Sequence, residues 1–439
     1  MTDIFETAYM ALEKTEHAGA DETEIYCIKG RSLSVDIHRD ELDLAKESLF
    51  WGIGIRAIVN GAVGFSSTND ATHVEEACIL AVKSARVRHS DPLWSGLPEK
   101  KKITPVKGIF DKNIADISTE ACVDFTAEMI EGAKTIPSVF PTSGQVLCSN
   151  STTLILNSHG IEMKEPDTVI HASIDTTTKD TDISTASEFE ISRKLDIDFQ
   201  KIGESAAQLA FKSRNGTRTG TQDTAVLLEP TAFADILDNT FLTSLNADNV
   251  QKGRSSLIGK MNTKIAADEL SLVDDGTLAF GIGTSSCDDE GTPSKRNEIV
   301  AGGELQSFLY DYYTAGKEKR ESTGNAIRSS FTGTPSISIR NLIIEYPRSD
   351  VVAETNDGVI VTTVIGAHTA NPISGDFSVE ARNSFLIKDG EISSPIKSMM
   401  ISGNIFDVLK NMDGAGKDVR KIGNIITPAI RVSKMRIVG

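Results

Sequence analysis

The 439 residues contain no C-x-x-C pair, no H-E-x-x-H, no G-x-S-x-G and no run of 18 uncharged apolar residues. Each absence removes a class of protein. The five cysteines (Cys27, Cys78, Cys122, Cys148, Cys287) are odd in number and scattered, so neither a disulfide framework nor a thiolate zinc site is expected. They read as small buried thiols in a reducing compartment. None of the seven histidines lies three to five residues from another, which excludes the commonest helical zinc site. Without a nucleophile elbow, no serine is raised for acyl transfer. Without a long apolar run, no membrane-spanning helix is expected. Residues 1–6 carry acids where a secretory signal would carry bases, so a cytoplasmic protein is expected. Bases are short throughout: 45 against 62 acids, a net charge of −17. Divided at residue 220, the two parts carry −11 and −6, so neither is a basic module. Direct nucleic-acid binding is not expected of such a balance.

What is present is ordinary for a folded protein. The chain is 39% hydrophobic and 24% charged, and long enough for two large domains. Helical spacing appears over residues 4–18. It recurs at Val74, Ala77, Cys78, Ala81, Val82 and Ala85, around Cys122 to Ala133, near 198–213, and from Phe233 to Leu245. Strand patterns fall at 24–30, 32–38, 52–61, 152–158 and 168–176. In the second half they fall at 225–228, 337–345, 359–366, 378–388 and 430–438. Residues 90–118, with prolines in Asp91-Pro92 and Leu97-Pro98 and three consecutive lysines, read as the loosest segment. Residues 215–221 read as a linker between domains at 1–214 and 222–439. Helices grouped apart from hairpin-linked strands indicate an α+β fold, with a mixed or antiparallel sheet in each domain and a strand-rich C-terminal domain.

Two glycine motifs fail on spacing. Gly52-x-Gly54 lacks the third glycine of a dinucleotide fingerprint and sits inside a strand pattern. Gly253 to Met261 has five residues between its glycines where a P-loop has four, and a methionine where it has Ser or Thr. What remains is a set of acids and turns. Asp288-Asp289-Glu290-Gly291 packs three acids into a turn, and His368 and Asp376 stand eight residues apart in a second polar segment. These groups read in two ways. They could form one site that handles protons or an ion, or they could be turn formers bonded to nearby backbone amides. No metal ligand set emerges from them.

The order of short segments along the chain resembles the TldD/PmbA family. The N-terminal match runs from Gly52-Ile53-Gly54-Ile55-Arg56 to Gly64-Phe65-Ser66-Ser67-Thr68. The C-terminal match takes in Ser255-Ser256-Leu257-Ile258-Gly259-Lys260, Asp288-Asp289-Glu290-Gly291-Thr292-Pro293, Gly302-Gly303-Glu304-Leu305 and Ser322-Thr323-Gly324-Asn325-Ala326. It continues through Gly375-Asp376-Phe377-Ser378 and Gly403-Asn404 to Arg436-Ile437-Val438-Gly439. The resemblance implies a two-domain α+β protein of a cytoplasmic peptidase system, homo- or heterodimeric. TldD-type members hold zinc with H-E-x-x-x-H and a late cysteine. Here Glu229 and Ala234 stand where the two histidines would be, Pro230 stands where the glutamate would be, and Lys421 to Pro428 contain no cysteine. The resemblance is therefore to the PmbA (TldE) branch. It implies a subunit without catalytic residues or a metal of its own, partnered with a zinc-bearing TldD-like chain and acting on peptides or unfolded segments. The family is also associated with modulation of DNA gyrase. Asp288, Asp289, Glu290, His368 and Asp376 are the candidates to line a peptide groove.

Overall fold

The computed structural model describes residues 3–179 and 182–439. Six long strands occupy the first half: β1 (Glu22–His38), β2 (Glu41–Val59), β3 (Ala62–Thr68), β4 (Val139–Asn157), β5 (Glu162–Thr178) and β6 (Thr185–Ser192). They form one antiparallel sheet of order β3-β2-β1-β4-β5-β6. Alternation along β1 sends Leu33, Val35 and Ile37 to the helix-covered face. Helices α1 (Ile4–His17) and α2 (Val74–Arg86) cover one half of that face, around Ile25, Ile53 and Leu154. The single turn α3 (Lys112–Ala115), α4 (Thr119–Ala133) and α5 (Phe199–Lys212) cover the other, around Leu33, Val146 and Ile170. Each start is set locally: Asp3, Ser118 and Asp198 accept backbone N–H groups at the N-termini of α1, α4 and α5. The opposite face of the sheet, with Tyr26, Ile155 and Ile161, packs against Cys287 and Phe331 of the second half.

The second half builds a mixed sheet of twelve strands. Strand β7 (Gln222–Leu228) pairs in parallel with Asp357–Ile365 and antiparallel with Ile425–Val438. Strands Asp376–Lys388 and Met399–Asn404 connect those two, so five strands close on themselves and leave no free edge there. Helix α6 (Pro230–Thr240) follows β7 and buries Ala232, Phe233, Ala234, Ile236 and Leu237 in the largest core. The fold is α+β, strand-rich in its C-terminal part.

Several elements differ from the sequence reading. The patterns at 24–30 and 32–38 are one strand, because Gly30 does not break it. A Cβ there would lie 2.5 Å from Asn150 O and from the Phe50 ring, so glycine allows close packing within the sheet. β2 begins at Glu41, well before the apolar run that marks it, since residues 41–47 are all exposed and their alternating Leu42 and Leu44 bury no face. The pattern at 337–345 splits into Ser336–Ile337 and Leu342–Glu345. Residues 90–118 contain one helical turn and no strand, but they are fastened: the Trp94 indole N–H donates to Glu22 Oε1 at 2.7 Å, and Tyr313 donates to Asp91 at 2.5 Å.

Candidate functional site

The five polar candidates fall in two places. Asp288, Asp289 and Glu290 lie in a turn between the two sheets. The Asp288 side chain is fully buried. Its Oδ1 accepts the N–H groups of Glu290 and Thr292 at 3.1 and 2.9 Å, and its Oδ2 accepts that of Ala326 at 3.2 Å. Burial, with the Glu290 charge adding to it, pushes the carboxyl well above its usual range. Asp288 therefore holds the turn together, as the turn-former reading has it.

Glu290 reaches the other way. Its Oε2 accepts the Tyr312 N–H at 3.0 Å and its Oε1 accepts Arg56 Nη2 at 2.9 Å. Arg56 Nη2 also meets Glu24 at 2.5 Å, and Glu24 in turn pairs with Arg328. All four charged side chains are buried. Each is matched by an opposite charge, which is the condition on which burial of ions is tolerated. Two come from the N-terminal sheet and two from the C-terminal half, so the network joins the halves. Beside it the Phe331 ring lies against β2. A Cβ on Gly52 would stand 2.4 Å from that ring, and one on Gly54 2.5 Å from Phe331 O. The G-x-G pattern is thus a seat for the loop of the other half, which is why no phosphate spacing follows it.

Asp289 borders a cavity of about 390 Å³ between the two halves. Its Oδ2 accepts the Arg328 N–H at 2.6 Å, and burial raises its carboxyl against that bond. Apolar Ile28, Ile155 and Met163 form one wall of the cavity, and Arg193, Arg328 and Arg340 with Glu165 and Asp167 supply charge.

His368 and Asp376 lie elsewhere, both exposed, on the segment before strand Asp376–Lys388. Asp376 accepts hydrogen bonds from Asn404 Nδ2 at 2.8 Å and Ser374 Oγ at 2.7 Å, and these hold its carboxyl below the usual range. His368 lies near Asp235 of α6, whose carboxyl is raised by burial and by the Asp238 charge and eased back by His368.

The α6 N-terminus forms a third locality. Glu229 occupies the N-cap, with Pro230 in the first turn, and its own N–H donates to Val361 O at 2.9 Å. Its side chain enters a cavity of about 300 Å³ together with Val351, Lys417, Asp418, Arg420 and Ala429. Burial raises the Glu229 carboxyl against the attraction of Arg420. Arg420 is also bound to Glu188 of β6 and donates to Phe189 O at 3.0 Å. The α6 N-terminus and the late hairpin therefore meet, as a metal site shared between them requires. They contribute two carboxylates (Glu229 and Asp418), a proline and two cations (Lys417 and Arg420), while Ala234, where a second histidine would stand, is 2% exposed in the core. These groups do not fit zinc, which takes three or four nitrogen, sulfur or oxygen ligands. Among the described residues no group of three or more His, Cys, Asp or Glu is placed to hold a metal ion.

Sequence reasoning missed Glu24, Arg56, Arg328, Arg340 and Arg420. One signal was available: Arg56 interrupts an otherwise apolar stretch from Ile53 to Val59, where a charge is costly without a partner.

No helix is long and apolar enough to cross a membrane among the described residues. The chain matches the PmbA/TldA metallopeptidase family over three stretches: domain 1 at residues 23–85, the central domain at 112–214 and the C-terminal domain at 221–439. An uncharacterised protein of Methanocaldococcus jannaschii, MJ0231, is 33% identical over 96% of this chain and 98% of its own length. TldE from Thermococcus kodakarensis is 25% identical, with a TM-score of 0.91 over 99% of this chain and 100% of that one. A candidate modulator of a DNA gyrase from Thermotoga maritima shares the fold at 23% identity, with a TM-score of 0.91 over 99% of this chain and 100% of that one. By sequence and by fold, the chain belongs to the PmbA/TldD family.

Proposed function

We propose that this chain is the component without a metal site in a cytoplasmic TldD/TldE-type peptidase system, paired with itself or with a TldD-like subunit that carries zinc. Peptides or unfolded protein segments are its substrates. The observation that carries the reading is the meeting of the α6 N-terminus with the late hairpin. The place is built, but Pro230 and Arg420 offer no ligand there, Ala234 is turned into the core, and the carboxylates beside them form no set of three ligands among the described residues. The likeness to TldE supports the same branch. The reading divides the chain into domains at 1–214 and 222–439, in line with its two main sheets.

Untagged chain should contain far less than one zinc per molecule, and should leave an unfolded casein substrate intact. Mixed with a TldD-like protein it should form a complex in sedimentation and change the rate of cleavage. Equimolar, chelator-sensitive zinc with cleavage by the chain alone would replace this reading with that of a peptidase in its own right. Failure to associate with the TldD-like protein would favour a regulator that hydrolyses nothing.

A further inference from the structure

The cavity between the two halves holds charges that the protein does not use up. Arg193 is saturated: it donates to Gly281 O at 2.8 Å, Ile109 O at 3.2 Å and Ile282 O, and it pairs with Asp167. Arg328 is saturated as well, by Glu24 and by Gly333 O at 2.7 Å. Arg340 is different. Its Nη2 donates to the neutral Ser285 hydroxyl, its Nε is closed off without an acceptor, and Asp274, Asp288 and Asp289 feel its charge without forming a direct ion pair with it, although it lines the cavity. A buried guanidinium proton without an acceptor is costly, and a carboxylate is its natural partner. On the acid side, Glu165 accepts a single donor, the Ser286 N–H, at 3.1 Å from each oxygen. The Asp289 carboxylate accepts the Arg328 N–H. Both therefore keep free lone pairs toward the cavity, which both line.

The unspent charges are thus one cation and two anions around an apolar wall of Ile28, Ile155 and Met163. A plain carboxylic acid would meet two carboxylates, and a plain amine would meet a guanidinium. A molecule carrying both ends satisfies all three groups. The volume, about 390 Å³, lies within the usual range for small-ligand pockets, roughly 300–1,000 Å³. We propose that this cavity binds a short peptide with free termini, its carboxylate on Arg340, its ammonium at Glu165 and Asp289, and an apolar side chain against Ile155 and Met163. The proposal rests on the peptide-handling reading above and adds a ligand class to it.

The test uses the full-length chain alone and titration calorimetry with the dipeptide leucylalanine. The free dipeptide should bind, and its N-acetyl and C-amide forms should each bind roughly tenfold or more weakly, the scale of one lost charge-assisted contact. Glu165→Gln keeps an oxygen for the Ser286 N–H. It should narrow the gap between the free and N-acetyl forms, leaving the part that Asp289 supplies, while holding its melting temperature. Arg340→Lys should weaken binding of the free and N-acetyl forms together. Absence of heat with millimolar leucylalanine, or binding indifferent to both end groups and to Glu165→Gln, would overturn the proposal. Neither result depends on a partner subunit or on cleavage, so it fails or stands apart from the assembly reading.

Discussion

Arg56 Nη2 lies 2.9 Å from Oε1 of Glu290, a residue 234 positions further along the chain, and both side chains are buried. Tyr312 and Glu24 complete the surroundings of that pair, so neither charge is left facing apolar atoms alone. The two halves of the molecule are thus joined by buried ions beside the apolar contact of Tyr26, Ile155 and Ile161 with Cys287 and Phe331.

Arg56→Met removes the cation that bridges Glu24 and Glu290. Breaking a buried pair from one side leaves an uncompensated charge and costs about 3–5 kcal/mol. Urea unfolding of the variant should show a loss of that order. A loss under about 1 kcal/mol would mean that water enters the network.

Gly52→Ala places a methyl group against the Phe331 ring, where an ideal Cβ would stand 2.4 Å away. The expected cost is about 1–3 kcal/mol, the range for overpacking. In a Phe331→Ala background the same change should cost less than half as much, because the clashing ring is gone. Equal costs in the two backgrounds would separate Gly52 from the loop.

Glu229→Gln tests the sign of a pH effect. Burial raises the Glu229 carboxyl in the folded chain, opposed by Arg420. At pH 4 most carboxyls at this site are protonated, folded or unfolded, and the change should be silent. As pH rises past the ordinary carboxylate range, the unfolded chain ionises first, and the folded state loses stability until its own carboxyl ionises. Glu229→Gln escapes that loss, so it should be the more stable protein at pH 7 and no more stable at pH 4. Denaturation at the two pH values decides, and greater stability at pH 4 alone would reverse the assignment.

Asp376→Ala removes the acceptor for Asn404 and Ser374 at an exposed position, with an expected cost of at most about 1 kcal/mol. His368→Ala should cost less, since its ring is exposed and makes no hydrogen bond among the described residues. Cleavage by a mixed complex, expressed per folded molecule, should be unchanged in both variants. A fall in cleavage at constant melting temperature would return these residues to a substrate groove.

The elements that were readable from the sequence are those whose periodicity is set by one buried face. α2, with Val74, Ala77, Cys78, Ala81, Val82 and Ala85 all buried, is the clearest. The start of β2 was not readable, because residues 41–47 are exposed and bury no face, and their pairing with β1 rests on backbone bonds and the Arg31–Glu47 ion pair. The site was legible in one respect only. The mismatch at Glu229, Pro230 and Ala234 can be read in a line of text, whereas its meeting with Arg420 needs the late hairpin folded back onto β7. Asp288 and Glu290 look alike in sequence. Asp288 spends its oxygens on backbone N–H groups, those of its own turn and of Ala326, whereas Glu290 also reaches Arg56 on a strand more than 200 residues earlier, a distinction that only tertiary contact makes.

The seat formed by Gly52 and Gly54 has a consequence for synthesis on the ribosome. β6 ends at Ser192, but Phe331 and Arg328, which cover that face and neutralise Glu24, are made about 140 residues later. At translation rates of roughly 5–20 residues per second this is a wait on the order of ten seconds. During that time the nascent N-terminal sheet presents Tyr26, Ile28 and Ile155 to the cytosol beside a Glu24–Arg56 pair that lacks its second guanidinium. A chaperone that shields that sheet face until residue 331 emerges would raise the yield of folded protein without touching the finished molecule.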